Sequence, residues 1–157
     1  MRGASYGPGI LGGGGGVRSN STYPSSGGLT VSMDTRFDSG YEPGGGVNPM
    51  IFSLTDINGG QPPAFITIFA NSVTYYLTVG TQARFVTHTY TADTAFHNFA
   101  FTVDAGGNAA WRRDGALQQT APSFPLNKNF SIKVISPGST DTMLGSGHID
   151  NVLVTTP

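Results

Sequence analysis

The sequence contains no cysteine in its 157 residues, and it has little charge of either sign. Without cysteine the fold has neither a disulfide nor a thiolate metal site. Charged residues make up only 11% of the chain, where about a quarter is usual. The formal net charge is −1, which argues against nucleic acid as a partner. So little charge favours a surface that packs against partners or works outside a cell.

Long apolar runs are also lacking. No stretch reaches the roughly 18 residues that a membrane span needs, so we expect no membrane partner. Met1 and Arg2 lead into glycine, serine and proline rather than the apolar region of a secretory signal. We therefore expect either a mature fragment with an added methionine or a protein that does not use that export route.

Glutamate occurs once, at Glu42. A retaining glycosidase needs two carboxylates about 5–5.5 Å apart, and no strand predicted here carries such a pair. Asp34 and Asp38 are four residues apart, but they straddle a predicted strand end. The sequence has no Gly-X-Ser-X-Gly motif for a serine nucleophile. We therefore expect no catalytic residues, and a protein that is not an enzyme.

Metal and cofactor sites are not indicated either. The three histidines show no ligand motif. Calcium is the open alternative, because it prefers the oxygen ligands of loop residues. The Asp and Asn residues of predicted loops form turns more often than they bind calcium, and they are Asp56, Asn58, Asp104, Asn108 and Asp141.

The first 27 residues differ in composition from the rest. Gly12 to Gly16 is an unbroken glycine run with few apolar residues around it. We predict a boundary between a Gly/Ser-rich segment, residues 1–27, and a folded domain, residues 28–157. The segment is either a flexible linker or an arm that orders against another subunit. The apolar anchors of such an arm are Tyr6, Ile10, Leu11, Val17 and Tyr23.

Short alternating runs fill the remaining sequence. Leu29 to Phe37 alternates apolar and polar residues, as a half-buried strand does. Ala64 to Ala70 is apolar on both faces, which predicts a strand covered on both sides, and it forms a hairpin with Val73 to Val79. Asp114-Gly115 predicts a tight hairpin turn. Nine or ten such strands without helical periodicity predict an all-β sandwich or barrel.

Four motifs resemble those of concanavalin A-like (laminin G-like and pentraxin-like) domains, in the same order along residues 29–154. They are Leu29 to Arg36, Phe96 to Asp104, Trp111 to Leu117 and Gly147 to Val154. The resemblance implies a two-layer antiparallel β-sandwich, or jelly roll. Phe99, Phe101 and Val103 are expected to fill the space between its two sheets.

Two functions remain open. The first is a structural or interaction protein of an assembly, preferably a bacteriophage virion component such as a capsid decoration (cement) protein or a tail or fibre domain. It would dock on capsid or tail subunits, or on its own copies as an oligomer, through the arm and a sheet surface. Its location would be the virion surface. The resemblance supports this reading by analogy only, because such folds recur on phage surfaces.

The alternative is an extracellular carbohydrate-binding, lectin-like module, with or without calcium. Sugar binding needs aromatic faces next to polar hydrogen-bonding groups. Tyr75 and Tyr76 must point to opposite faces of their strand, so at least one can be exposed. The expected glycan contacts are Tyr75, Tyr76, Tyr90 and Trp111.

Overall fold

The computed structural model describes residues 4–6, 9–11, 16–37, 50–58, 62–79, 82–135 and 147–157. These parts of the chain form fourteen β-strands, joined by turns and irregular segments. No helix in the described ranges is long and apolar enough to cross a membrane.

Two antiparallel sheets of seven strands each make up the fold. The first sheet has the order β1 (Ala4–Tyr6), β14 (Gly147–Thr155), β5 (Leu29–Phe37), β10 (His97–Val103), β11 (Ala109–Arg113) and β12 (Ala116–Ala121), and β2 (Gly9–Leu11) also pairs with β14. The second has the order β3 (Gly16–Arg18), β13 (Asn129–Ile135), β6 (Met50–Asp56), β7 (Ala64–Ile68), β8 (Ser72–Val79) and β9 (Gln82–Thr89), and β4 (Tyr23–Pro24) also pairs with β13. The predicted two-layer antiparallel β-sandwich is confirmed.

The core lies between the inner faces of the two sheets. Strand β5 alternates as predicted, with Leu29, Val31 and Met33 buried. Trp111 of the first sheet contacts Phe52 and Tyr75 of the second, with ring centroids 5.8 and 6.3 Å away. Burying an aromatic side chain of this kind stabilises a fold by about 1.5–3 kcal/mol. The aromatic residues therefore join the two layers.

Turn chemistry sets the register of the predicted hairpins. Strands β7 and β8 pair as expected. Asp114 and Gly115 have φ angles of 50° and 80° and connect β11 to β12. A two-residue turn with two positive φ angles matches the twist of the flanking strands, which explains why Asp-Gly occurs there.

The N-terminal segment pairs with its own chain. Strands β1 and β2 lie along β14, and β3 and β4 lie along β13. The sequence left a flexible linker and an arm that orders against another subunit open, and the described strands of this segment use their backbone groups within the chain. The physical reason is that β13 and β14 would otherwise be open sheet edges with unpaired N–H and C=O groups.

The predicted anchors of that arm divide into two groups. Tyr23 is half-buried and packs against the core. The side chains of the other anchors lie outside the described residues; these anchors are Tyr6, Ile10, Leu11 and Val17.

Candidate functional site

One row of side chains crosses the outer face of the second sheet from edge to edge. Its members are directly opposite one another on successive strands: Arg18, Lys133, Ser53, Phe65, Tyr76 and Phe85. We call this set the transverse row. Six strands at a spacing of about 4.8 Å give it a length of about 24 Å.

The period of two in each strand puts these side chains on the outer face. Their neighbours along the chain point inward, as Phe52, Ile66 and Tyr75 do in the core. Residues directly opposite one another on neighbouring strands share one face of the sheet. Six residues scattered between positions 18 and 133 therefore become neighbours.

The three aromatic rings of the row pack against one another. The rings of Phe65 and Tyr76 are stacked, with centroids 4.3 Å apart and an interplanar angle of 20°. Phe85 lies against the other side of Tyr76 at 4.8 Å. Tyr76 is thereby only 8% exposed, whereas Phe85 is 61% exposed. The result is a rigid aromatic surface that faces solvent.

The other half of the row carries two positive charges. Arg18 and Lys133 are directly opposite on β3 and β13. The Nε of Arg18 donates a hydrogen bond of 2.8 Å to the Oγ of Ser131, which fixes the guanidinium. Within the described ranges, no carboxylate forms an ion pair with either cation.

A shallow groove lies between the two halves. Its volume is about 380 Å³, within the range of about 300–1,000 Å³ that small-molecule sites occupy. The lining consists of Arg18, Ile51, Ser53, Thr55, Pro62, Phe65 and Lys133. This set combines an aromatic ring, four side chains with hydroxyl or cationic hydrogen-bond donors, and no carboxylate.

Hydroxyl groups flank the aromatic half. Thr67, Thr74 and Thr87 form a parallel row on β7, β8 and β9. The Oγ1 atoms of Thr74 and Thr87 are 2.9 Å apart and hydrogen-bonded. The outer face of this sheet therefore presents aromatic rings with hydroxyl groups beside them.

A second polar cluster lies at one end of the first sheet. His97 contacts Asp114 through Nδ1 at 2.8 Å and Asp93 through Nε2 at 3.0 Å. The hydrogen bond from His97 holds the pKa of Asp93 below its ordinary value, and a bond from the backbone amide of Ala95 adds to this. The adjacent cavity is only about 20 Å³, which is room for a single water. The cluster is internally hydrogen-bonded, and the cavity beside it is too small for a larger ligand.

Comparison with solved structures identifies the fold. No protein-family model matches the sequence, and no curated protein does either. Among solved structures, the carbohydrate recognition domain of Emp46p in its potassium-bound form is similar at a TM-score of 0.71, with 15% identity over 94% of this chain and 86% of that one. The fold is concanavalin A-like.

Two further structures share this concanavalin A-like fold. The ligand binding domain of botulinum neurotoxin serotype D in complex with N-acetylneuraminic acid has a TM-score of 0.61 and 12% identity, over 88% of this chain and 35% of that one. The Bacillus licheniformis β-glucanase has a TM-score of 0.58 and 18% identity, over 89% of this chain and 70% of that one. At these identities the likeness shows the fold alone.

The four predicted glycan contacts of the concanavalin A-like domain fall in different places. Tyr75 and Trp111 have no exposed surface, so neither ring offers a face to a ligand. The inner face of a sandwich excludes solvent, which also raises the pKa of Tyr75 above its ordinary value. Only Tyr76 belongs to the transverse row.

Tyr90 lies apart from the groove, in the segment after β9. Its ring is covered by the guanidinium of Arg113 at 3.9 Å, and its hydroxyl donates to the Oε1 of Gln118. The ring is half-buried and its polar group is satisfied within the fold.

Sequence reasoning missed Phe65, Phe85, Arg18 and Lys133. Phe65 was expected under a second covering layer, but it points outward and is covered only partly, by Tyr76. Phe85 lies in a stretch recognised only as extended. The available signal was the alternation in β9, where Phe85 falls between arginine and valine.

The loop residues considered for calcium serve other roles where the structure describes them. Asp56 forms an ion pair of 2.9 Å with Lys128, whose hydrogen bond lowers the pKa of that carboxyl. Asp104 accepts hydrogen bonds from the amides of Gly106 and Asn108 in a turn. Asp141 lies outside the described residues, and no three His, Cys, Asp or Glu side chains of the described ranges are grouped around a metal position.

Proposed function

We propose that this concanavalin A-like domain binds carbohydrate, without catalysis, at the groove and aromatic half of the transverse row. The observation that supports it is the exposed ring of Phe85 in one line with Tyr76 and Phe65, leading into a groove lined by hydroxyl and cationic groups.

The chemistry of a sugar matches this surface. A pyranose ring has an apolar face of C–H groups that packs on an aromatic ring, and hydroxyl groups at its edge that need hydrogen-bond partners. Phe65 and Phe85 supply aromatic faces, and Thr74, Thr87 and Ser53 lie beside them. Because Tyr76 fixes both phenylalanines, the surface loses little side-chain freedom on binding.

Two of the similar structures agree with the proposal. The Emp46p domain is a carbohydrate recognition domain, and the botulinum toxin domain is in complex with N-acetylneuraminic acid. The β-glucanase shares the fold as well, so the fold does not separate binding from hydrolysis. Binding is favoured because the described groove lining contains no carboxylate to act as acid or nucleophile.

The virion hypothesis stays a prediction. The three similar structures are a carbohydrate recognition domain, a ligand binding domain and a β-glucanase, so they lend it no support. The strands of residues 1–27 pair within the chain, so the expected docking role of that segment has no support from its geometry.

Removing the exposed ring tests the proposal. The full chain is screened on an array of oligosaccharides, and the best binder is titrated by calorimetry against the wild type and Phe85→Ala. We expect Phe85→Ala to weaken binding about tenfold or more while leaving the fold intact, because this ring is exposed. The matched control is Phe96→Ala, an exposed phenylalanine next to Arg36 and away from the row. Equal losses in both variants, or no binding to any oligosaccharide, would reject the site.

A further inference from the structure

We propose that the sugar taken by the groove is anionic, with its carboxylate or sulfate group held between Arg18 and Lys133. This inference rests on the proposed carbohydrate function and adds the chemical class of the ligand. Its first support is the register: the two cations are cross-strand partners on one face, an arrangement in which like charges repel.

The pair has no neutralising partner in the described part of the chain. The carboxylates with described ion pairs engage other groups, namely His97, Arg113 and Lys128. Asp56, on β6 nearby, already pairs with Lys128 and does not belong to the groove lining. An anion bound from outside would relieve the repulsion between Arg18 and Lys133.

Hydrogen bonds hold the guanidinium ready for such an anion. Arg18 donates through Nε to Ser131, whose hydroxyl donates in turn to the carbonyl of Thr55 at 3.4 Å. The two terminal nitrogens of Arg18 remain for a ligand, in the planar geometry that suits a carboxylate or sulfate. Phe65 lines the same groove, so one sugar ring can contact the aromatic surface and the cations together.

The outer face of the first sheet carries charges of both signs in the described residues, since Arg36 and Arg112 share it with two aspartates. Asp34 and Asp150 are direct partners on β5 and β14 of the first sheet. Asp34 is further bound by the side-chain amides of Asn98 and Asn151. On that face the charges of opposite sign offset one another, whereas the described groove lining carries two cations and no carboxylate, which favours an acidic glycan at the groove.

The test compares one saccharide in two charge states. Oligogalacturonate and its methyl ester share a backbone and differ in the carboxylate, and a sulfated oligosaccharide and a short single-stranded DNA are added as further probes. Affinities are measured with the full chain, at low and high salt. We expect the oligogalacturonate or the sulfated probe to bind at least about tenfold more tightly than the neutral ester, with the difference decreasing in salt.

Variants assign the effect to the two cations. Arg18→Gln and Lys133→Gln should each reduce the preference for the anionic probe about tenfold and leave the neutral one unchanged. Arg112→Gln removes one positive charge from an exposed residue of the first sheet and should change neither affinity. Thermal unfolding of each variant separates loss of binding from loss of fold.

Other outcomes overturn the inference in distinguishable ways. If the neutral ester binds as tightly as the acid, the anionic preference is wrong and the carbohydrate function stands. If Arg112→Gln loses as much affinity for the anionic probe, the overall charge of the protein explains the binding, and the groove does not. Tighter binding of the DNA indicates a nucleic-acid surface, and no binding of any saccharide rejects both proposals.

Discussion

The ring of Tyr76 lies nearly parallel to that of Phe65, at 4.3 Å between centroids, although both point away from the core. A tyrosine on an outer sheet face is ordinarily exposed, but this one is covered by Phe65 on one side and Phe85 on the other. Its hydroxyl also accepts a hydrogen bond of 3.0 Å from Thr78. Tyr76 therefore supports the aromatic surface from its centre.

Replacing that central ring should affect stability and binding together. We expect Tyr76→Ala to lower the free energy of unfolding by about 3 kcal/mol, because it leaves a gap between two phenylalanines. Tyr76→Phe keeps the stack and loses only the hydroxyl contact with Thr78, at a cost of about 1 kcal/mol. Urea unfolding measures both. Sugar affinity should decrease in the alanine variant and stay within about twofold in the phenylalanine variant; equal affinities in both would refute the supporting role.

The contact between the sheets depends on Trp111. Its ring is fully buried against Phe52 and Phe101, and its Nε1 donates a hydrogen bond of 3.1 Å to the backbone carbonyl of Tyr76. Trp111→Ala should destabilise the fold by about 3–5 kcal/mol, and Trp111→Phe by about 1–3 kcal/mol. Both substitutions remove the single tryptophan of the chain and with it the tryptophan fluorescence. Unfolding of these variants is therefore followed by circular dichroism. Losses below about 1 kcal/mol for Trp111→Ala would contradict the packing described.

Acid should destabilise the domain through hydrogen-bonded aspartates. Hydrogen bonds from the side chain and backbone of Asn108 lower the pKa of Asp104 from its ordinary value of 3.8. A carboxyl with a lowered pKa in the folded state contributes stability above its ordinary value, and that contribution is lost as the pH falls below it. We expect the melting temperature to be level from about pH 7 to 5 and to fall steeply below about pH 4.

Asp104→Asn separates this effect from general acid denaturation. The variant lacks the titrating group, so it should melt below the wild type at neutral pH. The gap should shrink on acidification, because protonated Asp104 loses the same interactions. A gap that is constant between about pH 7 and 3 would show that the carboxylate charge has no part in it.

Removing residues 1–27 should expose two sheet edges. Strands β13 and β14 would lose the partners that β3 and β1 provide, and Ser25, whose buried hydroxyl donates to the carbonyl of Pro125, would be lost as well. We expect residues 28–157 to melt at a lower temperature and to self-associate in gel filtration, since open edges pair with other chains. A truncated chain that is equally stable and monomeric would favour the linker interpretation.

The sequence by itself determined the fold class. Alternation along Leu29 to Phe37 and the Asp114-Gly115 turn are local signals, because side-chain period and turn angles depend on residues close in the chain. The motifs between residues 29 and 154 also indicated the jelly roll. Composition indicated a surface with few charges, and this too needs no coordinates.

Only the tertiary structure decided which residues form the site. Arg18 and Phe85 lie at opposite ends of one row because six strands pair in a particular register, and register depends on long-range hydrogen bonds. The same cause explains the predicted contacts that were buried: the sequence showed that Tyr75 and Tyr76 face opposite sides, but not which side the first sheet covers. That choice depends on Trp111 packing against Tyr75 across the core, a contact between residues far apart in the chain.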